Sequence, residues 1–523
     1  MLPTETELKL RIDPAAAAKL SRHPTLGPFK RGRARTARLL STYFDTADGL
    51  LASEGIALRV RRDSRRWLQT VKGPADATRA GGLTSCLEFE WPVPSARLDP
   101  LRFATTPFRR VLGKAEKRGL VECFTTDFAR TTIPLAFPDS TMATLCIDIG
   151  ELRAADGATT VREPIEEIEI ELEAGDATRL YELAQVLATD LPLQVEPRSK
   201  AERGMALLDA SRAPSPVRAT DVDVPGKANA GVAFAAIMRG CLAQIEGNAR
   251  GILDDDDAEW VHQMRIGVRR LRACLSLAHR GFVTARVEPL RAELRWLAHA
   301  LGPARDYDVF TIETLPAFRD AVRRGSDAAS IHPALRQLAS RANAHRKQAR
   351  AAARAAVASP RFLRLVLAVA ALAAAPSTSA AGNEAPGKKL ALPARDFARP
   401  LLKRRHRTLL ELGHDLAHAA PEARHAARLA AKKLRYAAEF FAPLFPRKRT
   451  RNYRRALAAL QGELGEWNDA AVAARLAAEL AGEQSPAAAA FSGWAAARGV
   501  ARADALAAAW ESFIETDVFW SRG

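Results

Sequence analysis

Acidic and basic side chains alternate near the amino terminus, where residues 5–9 read Glu-Thr-Glu-Leu-Lys. Side chains two positions apart on a β-strand point to the same face, so Glu5, Glu7 and Lys9 would share one face. Two adjacent carboxylates repel each other unless a cation lies between them, and the lysine beside them can hold an anion that this cation also binds. The pattern therefore suits a metal-bound polyanion, although an ordinary solvated strand face shows the same alternation.

Five further segments with strand-like alternation add charged residues to one face. Residues 57–61 set two arginines opposite apolar residues, and residues 87–90 do the same with two carboxylates. Residues 165–173 align four glutamates, while residues 68–72 and 145–148 contribute a lysine and an aspartate. If this sheet closes, its interior carries carboxylates for a metal and cations for phosphate. The alternative is an open antiparallel sheet with an exposed charged face.

The order of these segments resembles a CYTH domain, the triphosphate tunnel metalloenzyme fold, over residues 1–205. The matching motifs are, in order, ETELK at 5–9, STYFDT at 41–46, GIALRVRR at 55–62, TVKG at 70–73, LEFE at 87–90, TTDFAR at 125–130, Asp148-x-Gly150, EEIEIELE at 166–173 and RSKAERG at 198–204. The resemblance implies an eight-stranded antiparallel β-barrel whose tunnel binds a linear triphosphate with Mg²⁺ or Mn²⁺.

The same resemblance implies a role for each matched charge. Phosphate contacts fall to Lys9, Arg59, Arg61, Lys72, Arg130, Lys200 and Arg203. For Arg203, a charge on a helix surface is an equally good interpretation. Metal contacts fall to Glu5, Glu7, Glu167, Glu169 and Glu171, since the register of the last strand leaves open whether Glu167 and Glu169 or Glu169 and Glu171 form the pair. Further acidic tunnel residues are Glu88, Glu90 and Asp148.

The chain has 523 residues, a formal net charge of +18 and a sequence pI of about 10.1. This length accommodates two to four domains with sizeable cores. The positive charge favours polyanionic partners, although part of the arginine excess can reflect a GC-rich genome, since alanine is abundant too.

Cysteine spacing and apolar runs indicate where the protein resides. Five cysteines are scattered without a Cys-x-x-Cys pair, which favours reduced thiols over disulfides or zinc sites. The amino terminus is polar and acidic, unlike a secretory signal, and the longest apolar run, 365–375, is too short to span a bilayer. We expect a cytoplasmic protein.

The composition and the hydrophobic periodicity of the sequence change after residue 205. Residues 206–225 are rich in Pro, Asp and Gly, which is typical of a linker. From 226 to 523, apolar residues recur at three- and four-residue intervals, which predicts helices. A loose stretch at 375–395 separates two helical halves, about 226–374 and 396–523. The predicted fold class is thus α+β and multidomain, a β-barrel followed by an all-α domain.

The two helical halves are repeats. His262 begins an H-x-x-R-x-x-x-R-R-L-R motif, and His425 begins an H-x-x-R-x-x-x-K-K-L-R motif. Each is followed by Leu-Gly and then by an aspartate, Asp306 or Asp469, 44 residues after its histidine. Equal spacing between two matched motifs indicates a duplicated helical unit.

Each motif would place four basic residues along one stripe of a helix, because positions i, i+3, i+7 and i+10 lie close together there. We call these stripes the first ridge and the second ridge; they comprise His262, Arg265, Arg269 and Arg272, and His425, Arg428, Lys432 and Arg435, respectively. If the ridges form ion pairs with Asp306 and Asp469, their role is to stabilise the helical fold. Two duplicated ridges favour an anion-binding cleft between the halves.

Residues 226–523 resemble a CHAD domain, an α-helical domain of two four-helix repeats with a conserved histidine. The matched motifs are the two histidine motifs above and L-G-x-x-R-D-x-D at 301–308, with L-G-x-x-N-D at 464–469. The resemblance implies that the ridges bind inorganic polyphosphate, and the order CYTH then CHAD is a recurrent bacterial arrangement. Gly267 within the first motif costs about 1 kcal/mol relative to alanine, which suggests a close helix contact.

Three functions are compatible with these patterns. The one favoured is metal-dependent hydrolysis of inorganic tripolyphosphate to pyrophosphate and phosphate, beside a domain that binds long-chain polyphosphate. The alternatives are a thiamine triphosphatase or adenylate cyclase on the same tunnel, and a polyphosphate-binding protein without activity. The expected partners are tripolyphosphate and long-chain polyphosphate, with association with polyphosphate granules, and neither specific nucleic acid nor a membrane.

Overall fold

The computed structural model describes residues 2–64, 66–75, 80–156, 159–209, 214–278, 284–324, 328–375, 389–482 and 484–521. Two compact units make up the chain. The first consists of Met1–Pro216 together with Ala358–Ala374, and the second of Val217–Val357 together with Ala375–Gly523. Parts of the predicted linker (210–213) and most of the loose stretch (376–388) lie outside the described residues.

The described residues of the first unit form nine strands and five α-helices before the linker. They are β1 (Thr4–Arg11), α1 (Pro14–Leu20), β2 (Arg35–Thr46), α2 (Leu50–Ser53), β3 (Ala57–Asp63), β4 (Arg66–Pro74), β5 (Leu83–Val93), α3 (Arg109–Arg118), β6 (Leu120–Ala136), β7 (Met142–Asp156), β8 (Thr159–Ala174), α4 (Thr178–Asp190), β9 (Gln194–Val195) and α5 (Lys200–Leu208). Short 3₁₀ helices lie at Pro24–Phe29 and Pro100–Thr105.

Eight of these strands close into a barrel. The order is β5-β4-β3-β2-β6-β7-β8-β1, with every neighbouring pair antiparallel, and β1 pairs back to β5 to complete the circle. The short β9 adds to the free end of β1. The predicted eight-stranded antiparallel barrel is therefore confirmed. Closure matters for the site because it directs one side chain in every two, on each strand, into a common interior.

Helix α5 begins with a capping box that fixes its first turn. The hydroxyl of Ser199 accepts a hydrogen bond from the backbone N–H of Glu202 at 3.1 Å, and the carboxylate of Glu202 accepts one from the backbone N–H of Ser199 at 2.7 Å. Reciprocal capping satisfies two otherwise unpaired donors and sets where the helix starts. As a result Lys200 and Arg203 occupy fixed positions on the first turn.

The remaining chain is helical. Its elements are α6 (Ala230–Asp254), α7 (Ala258–Ala278), α8 (Thr284–Val309), a π-helical turn at Phe310–Thr314, α9 (Leu315–Arg323), α10 (Ala328–Ala358), α11 (Pro360–Ala374), α12 (Ala394–Leu412), α13 (Pro421–Phe441), a 3₁₀ turn at Ala442–Leu444, α14 (Arg447–Ala481), α15 (Pro486–Val500) and α16 (Ala503–Ile514). The predicted all-α region is confirmed, and all five cysteines are free thiols.

In the second unit the ridge helices are central. Helix α7 packs against α6 and α8, α13 packs against α12 and α14, and α7 and α13 also contact each other. Gly267 confirms the close contact that its position suggests: a Cβ there would lie 2.9 Å from the side chain of Ile245 on α6. The two ridges therefore lie on the helices through which the repeats meet.

Helix α11 departs from the predicted domain boundaries. The sequence places it in the first helical half, whereas in the structure it belongs to the first unit and packs against α4 and β9. The physical reason is apolar surface: Leu180, Ala184 and Leu187 on α4 are fully buried, as are Val366 and Ala370 on α11. Periodicity identified the helix, but it could not specify which apolar face the helix covers.

Among the described residues, no single helix has both the length and the apolarity of a membrane span. The helices Ile331–Ala358 and Pro360–Ala374 have the length and composition of a membrane span only as a pair, and the chain bends by 54° between them.

Candidate functional site

The barrel encloses a cavity of about 950 Å³ that is lined by charged residues of both signs. Strands β1, β3, β4, β5, β6 and β8 and helix α5 supply them. Of the residues predicted from the sequence, the lining includes Glu5, Glu7, Lys9, Arg59, Arg61, Lys72, Glu88, Glu90, Arg130, Glu169, Glu171 and Lys200. Charged residues two apart on successive strands thus come together, as closure of the sheet requires.

Three carboxylates form one cluster in this lining. Glu5, Glu7 and Glu171 each offer an oxygen, and these oxygens lie within 4.8 Å of one another. Burial, together with the negative charges of Glu169, Glu5 and Glu7, raises the pKa of Glu171 to about 7, although Arg130 opposes the shift. Carboxylate oxygens at this spacing are the ligands that Mg²⁺ and Mn²⁺ prefer. The donor set therefore fits a hard divalent cation.

Each carboxylate of this cluster also contacts a cation. Lys9 lies 3.1 Å from Glu7, Arg130 donates to Glu171 at 3.0 Å, and Lys72 forms an ion pair with Glu5. Burial alone would lower the pKa of Lys9, but the carboxylates of Glu7, Glu169 and Glu167 raise it well above its ordinary value. These three bases are consequently charged and lie beside the acidic cluster.

A second carboxylate cluster, Asp148, Glu167 and Glu169, is occupied by basic side chains. Lys200 contacts Asp148 at 2.8 Å and Glu169 at 2.9 Å and also pairs with Glu167, while Arg130 holds Asp148 through two bonds of 2.8 and 2.7 Å. Although burial opposes it, the charges of Lys200, Lys9 and Arg130 hold the pKa of Glu169 well below its usual range. This neutralised cluster fixes Lys200 and Arg130 in place.

Three predicted residues, Asp148, Glu167 and Arg203, lie outside the cavity lining. Glu167 is fully buried, and the guanidinium of Arg203 donates to it at 2.9 Å and to Glu163 at 2.9 Å. Arg203, only 3% exposed, is therefore a buried ion-pair partner and not a charge on a helix surface. Asp148, also fully buried, supports Arg130 and Lys200 from behind. Of the three predicted glutamates on β8, Glu171 joins Glu5 and Glu7, whereas Glu167 and Glu169 belong to the second cluster.

Two arginines of β3 lie side by side in the cavity. Arg59 is 3.5 Å from Glu88, and Arg61 is 3.1 Å from Glu90. The charge of Arg59 and burial lower the pKa of Arg61. The buried Nε atoms of both have no hydrogen-bond acceptor within the described part of the chain. Adjacent guanidiniums with unused donors suit a phosphate group, which accepts several bonds from arginine.

Two aromatic residues outside the predicted set contact these bases. Tyr43 accepts a hydrogen bond from Arg59 at 3.4 Å. The ring of Phe128 lies 5.1 Å from the ammonium of Lys200 and 5.8 Å from the guanidinium carbon of Arg130. Both occur in matched motifs, so the motifs held a signal, but an aromatic residue on a strand is more often part of a core.

In the second unit the two ridges have equivalent aspartate partners. Arg265 lies 3.4 Å from Asp306, and Arg428 lies 3.7 Å from Asp469. Arg265 also donates to the carbonyl oxygens of Leu301 and Gly302. The pairing that the repeat suggested is thus present at one residue of each ridge, and it leaves the other basic residues of the ridges without these aspartates.

The middle of the two ridges is a site of like-charge repulsion. Burial, Arg428 and Arg269 lower the pKa of Lys432 to about 7. The buried Nε atoms of Arg269 and Arg428 lack an acceptor among the residues that the structure describes. We call Arg265, Arg269, Arg428 and Lys432 the central basic cluster. Such a cluster costs free energy until an anion neutralises it.

The ends of the ridges differ from their middle. Burial and the charge of Arg305 lower the pKa of His262 to about 4, so this imidazole is neutral at pH 7. His425 and Arg272 are exposed, and Arg435 is held by Glu439 at 2.7 Å on the same helix. Arg305, which the sequence analysis did not assign, thus lies close enough to His262 to affect its titration.

Comparison with known proteins agrees with both units. The family model of the CYTH domain matches residues 3–205, and that of the CHAD domain matches residues 236–478. Over 209 residues the chain is 29% identical to an inorganic triphosphatase of Haemophilus influenzae. That match covers 39% of this chain and 54% of the other protein, so the chain spans about half the length of this curated relative.

Solved structures resemble each part separately. The CHAD domain of the plant Ricinus communis is 34% identical, with 57% of this chain and 96% of that chain covered and a TM-score of 0.46. PptA from Streptomyces chartreusis is 23% identical, with coverages of 54% and 100% and a TM-score of 0.42. A Hippeastrum protein, HpAC1, described as having a dominant triphosphatase activity, is 20% identical, with coverages of 40% and 99% and a TM-score of 0.27. Taken with the matched family models, the closed barrel and the duplicated helices show that the chain belongs to the proteins that join a CYTH domain to a CHAD domain.

Proposed function

We propose that the first unit is a metal-dependent inorganic triphosphatase, which hydrolyses tripolyphosphate to pyrophosphate and phosphate. The observation that carries this proposal is the juxtaposition, in one cavity, of the Glu5, Glu7 and Glu171 carboxylates with the bases Lys9, Lys72, Arg130, Arg59 and Arg61. A linear triphosphate is negatively charged and its divalent ion is positively charged. The basic side chains of the lining complement the first, and the carboxylates complement the second.

The carboxylates of Glu5, Glu7 and Glu171 would hold Mg²⁺ or Mn²⁺. A divalent ion supplies charge neutralisation on the phosphate oxygens and helps to orient or activate water. Once the three carboxylates face that ion, Lys9, Lys72 and Arg130 can direct their charge to phosphate oxygens instead. Phosphoryl transfer needs mainly alignment and charge stabilisation, and a lining of fixed bases provides both.

Lys200 and Arg130 are fixed by the buried cluster of Asp148, Glu167 and Glu169. Because ion pairs hold them before substrate enters, little of their conformational freedom remains to be lost on binding. Arg59 and Arg61 provide a second anchoring point through their unpaired Nε groups. The basic residues thus fall into two groups, which can bind different phosphates of one chain.

Apolar residues in the same lining favour a second candidate, an enzyme for an organic triphosphate. Ala57, Phe128 and Met205 also line the cavity and can contact a base or a thiamine ring. Incubation of the whole protein with tripolyphosphate, ATP or thiamine triphosphate, with Mg²⁺ or Mn²⁺ present, distinguishes these functions. Inactivity on every triphosphate would leave only a binding protein.

For the second unit we propose binding of long-chain polyphosphate by the central basic cluster. The mutual repulsion of Arg269, Arg428 and Lys432 supports it, because a bound polyanion relieves that repulsion. Binding of labelled polyphosphate at increasing salt tests the proposal, with duplex DNA as the competing polyanion. Equal affinity for both would indicate nonspecific attraction to a basic protein.

A further inference from the structure

Helix α11 reaches the first unit from a distant part of the chain and contacts a turn at the edge of the barrel. The chain leaves the second unit after Val357 and returns to it at Ala375. Between these points, α11 packs against α4 and β9. The first unit therefore includes one helix, α11, that lies outside residues 1–205 in the sequence.

The contact is made through a glycine that has no space for a side chain. Gly81 has a φ of +62°, and a Cβ built on it would lie 2.4 Å from the Cβ of Ala370 and 3.0 Å from the ring of Tyr181. Gly81 is thus enclosed between α11 and α4. The hydroxyl of Tyr181 also donates a hydrogen bond of 2.7 Å to the carbonyl oxygen of Ala80.

The same turn contacts the backbone of Lys9. The carbonyl oxygen of Gly82 accepts a hydrogen bond of 2.9 Å from the N–H of Lys9, and a Cβ at Gly82, whose φ is +77°, would lie 2.6 Å from the Lys9 carbonyl oxygen. Two bonds of 3.1 and 3.0 Å between Ala80 and Leu83 close the turn. A displacement of Gly81 therefore reaches Lys9 through one peptide unit.

Lys9 in turn lies between the two carboxylate clusters. Its ammonium is 3.1 Å from Glu7, in the cluster that would hold a metal, and 3.3 Å from Glu169, in the cluster that holds Lys200. The position of the Lys9 backbone consequently determines where the Lys9 ammonium lies relative to both carboxylate clusters. A small misplacement of such a group can cost much of a binding interaction.

We propose that Ala370 of α11 is a positioning residue for the barrel site, which acts through Gly81 and Gly82 on Lys9. This inference rests on the proposed function, and it adds that the triphosphate site depends on a helix from within the CHAD sequence. Ala370 has the smallest side chain that still covers Gly81. A larger side chain there pushes the turn toward Lys9.

The test uses the whole protein with Ala370→Leu, and with Ala374→Leu as the control, since Ala374 is exposed on the same helix. Hydrogen exchange is measured for the peptide that contains Lys9 and, as a reference, for a peptide from β6. We expect faster exchange at Lys9 alone in Ala370→Leu, with KM for tripolyphosphate raised about tenfold and kcat changed less. The control should match the unmodified protein.

If Ala370→Leu does not fold, Ala370→Val is decisive, because it enlarges the same side chain less and keeps the change at the contact of α11 with Gly81. We expect a smaller change in the same direction, about threefold in KM. Normal exchange at Lys9 and an unchanged KM in the folded variants would overturn the inference. If the unmodified protein hydrolyses no tripolyphosphate, the proposed function fails, yet hydrogen exchange still decides whether α11 positions Lys9.

Discussion

The guanidinium of Arg130 donates a hydrogen bond of 3.0 Å to the carboxylate of Glu171. Two further bonds, of 2.8 and 2.7 Å, fix this guanidinium on Asp148. The contact joins the carboxylate cluster to the basic lining, so the groups proposed to hold a metal and those proposed to hold a phosphate meet at one point.

Substituting Glu171→Gln should lower kcat/KM for tripolyphosphate at least about tenfold and raise the metal concentration needed for half-maximal activity, because one of three carboxylates loses its charge. Phosphate release measured across a Mg²⁺ or Mn²⁺ titration checks this. Glu173→Gln is the matched control, since Glu173 lies two residues further along β8 and is exposed. Full activity in excess chelator would exclude a metal-dependent reaction.

The substrate order should favour tripolyphosphate over ATP by at least about tenfold in kcat/KM, because the lining offers charged contacts to every phosphate. Initial rates with both substrates, at equal free metal, give the ratio. A preference for ATP or thiamine triphosphate would assign the apolar part of the lining to an organic group. Formation of cyclic AMP from ATP with no tripolyphosphate cleavage would indicate a cyclase.

Charge reversal in the central basic cluster should weaken polyphosphate binding. We expect Arg269→Glu with Lys432→Glu to reduce the slope of log affinity against log salt by about 2, since each lost contact removes about one counterion released. The control reverses Lys433 and Lys448, which are exposed and outside the cluster. Equal losses in both double variants would mean that only net charge matters.

Polyphosphate affinity should fall as the pH rises above about 7. The pKa of Lys432 is lowered to about 7 by burial, Arg428 and Arg269, and a bound polyanion raises it again. Below pH 7 the free ammonium is already charged, so binding takes up no proton there; above it, binding must take one up. A titration of affinity against pH checks the curve, and Lys432→Arg, which stays charged, should flatten it.

The same titration has a consequence for stability. An unfolded lysine titrates near its ordinary pKa of about 10.4, so between pH 7 and 10 the unfolded chain binds more protons than the folded one. The free energy of unfolding should therefore increase with pH across this window. His262, with its pKa lowered to about 4 by burial and Arg305, should add to this increase from about pH 4 to about pH 7, where an unfolded histidine with an ordinary pKa of about 6.5 still binds a proton.

Removing Lys200 should destabilise the first unit. Lys200→Met leaves the buried carboxylates of Asp148, Glu167 and Glu169 with less compensation, and breaking a buried ion pair from one side costs about 3–5 kcal/mol. Urea denaturation measures the loss. Lys114→Met, at an exposed position on α3, serves as the control. A loss below about 1 kcal/mol would show that the cluster is neutralised by Arg130, Lys9 and Arg203 without Lys200.

The sequence by itself determined the strands of the barrel and the duplicated ridges. Period-two charge patterns specify which face of a strand is polar, and the equal spacing from His262 to Asp306 and from His425 to Asp469 specifies a repeat. Both are local signals, readable within one element or by comparing two. They sufficed to predict charged strand faces and two basic helices, whereas closure of the sheet was expected from the resemblance to the CYTH family.

Only the tertiary structure decided which carboxylate cluster each glutamate of β8 joins. Glu167, Glu169 and Glu171 are equivalent in sequence, yet register across β1 and β7 sends Glu171 to the cluster with Glu5 and Glu7, while Glu167 and Glu169 join Asp148. Likewise, the periodicity of α11 marks an apolar helix without specifying its partner. Register and the choice of apolar partner depend on contacts between residues far apart in the chain, and a local pattern carries no information about them.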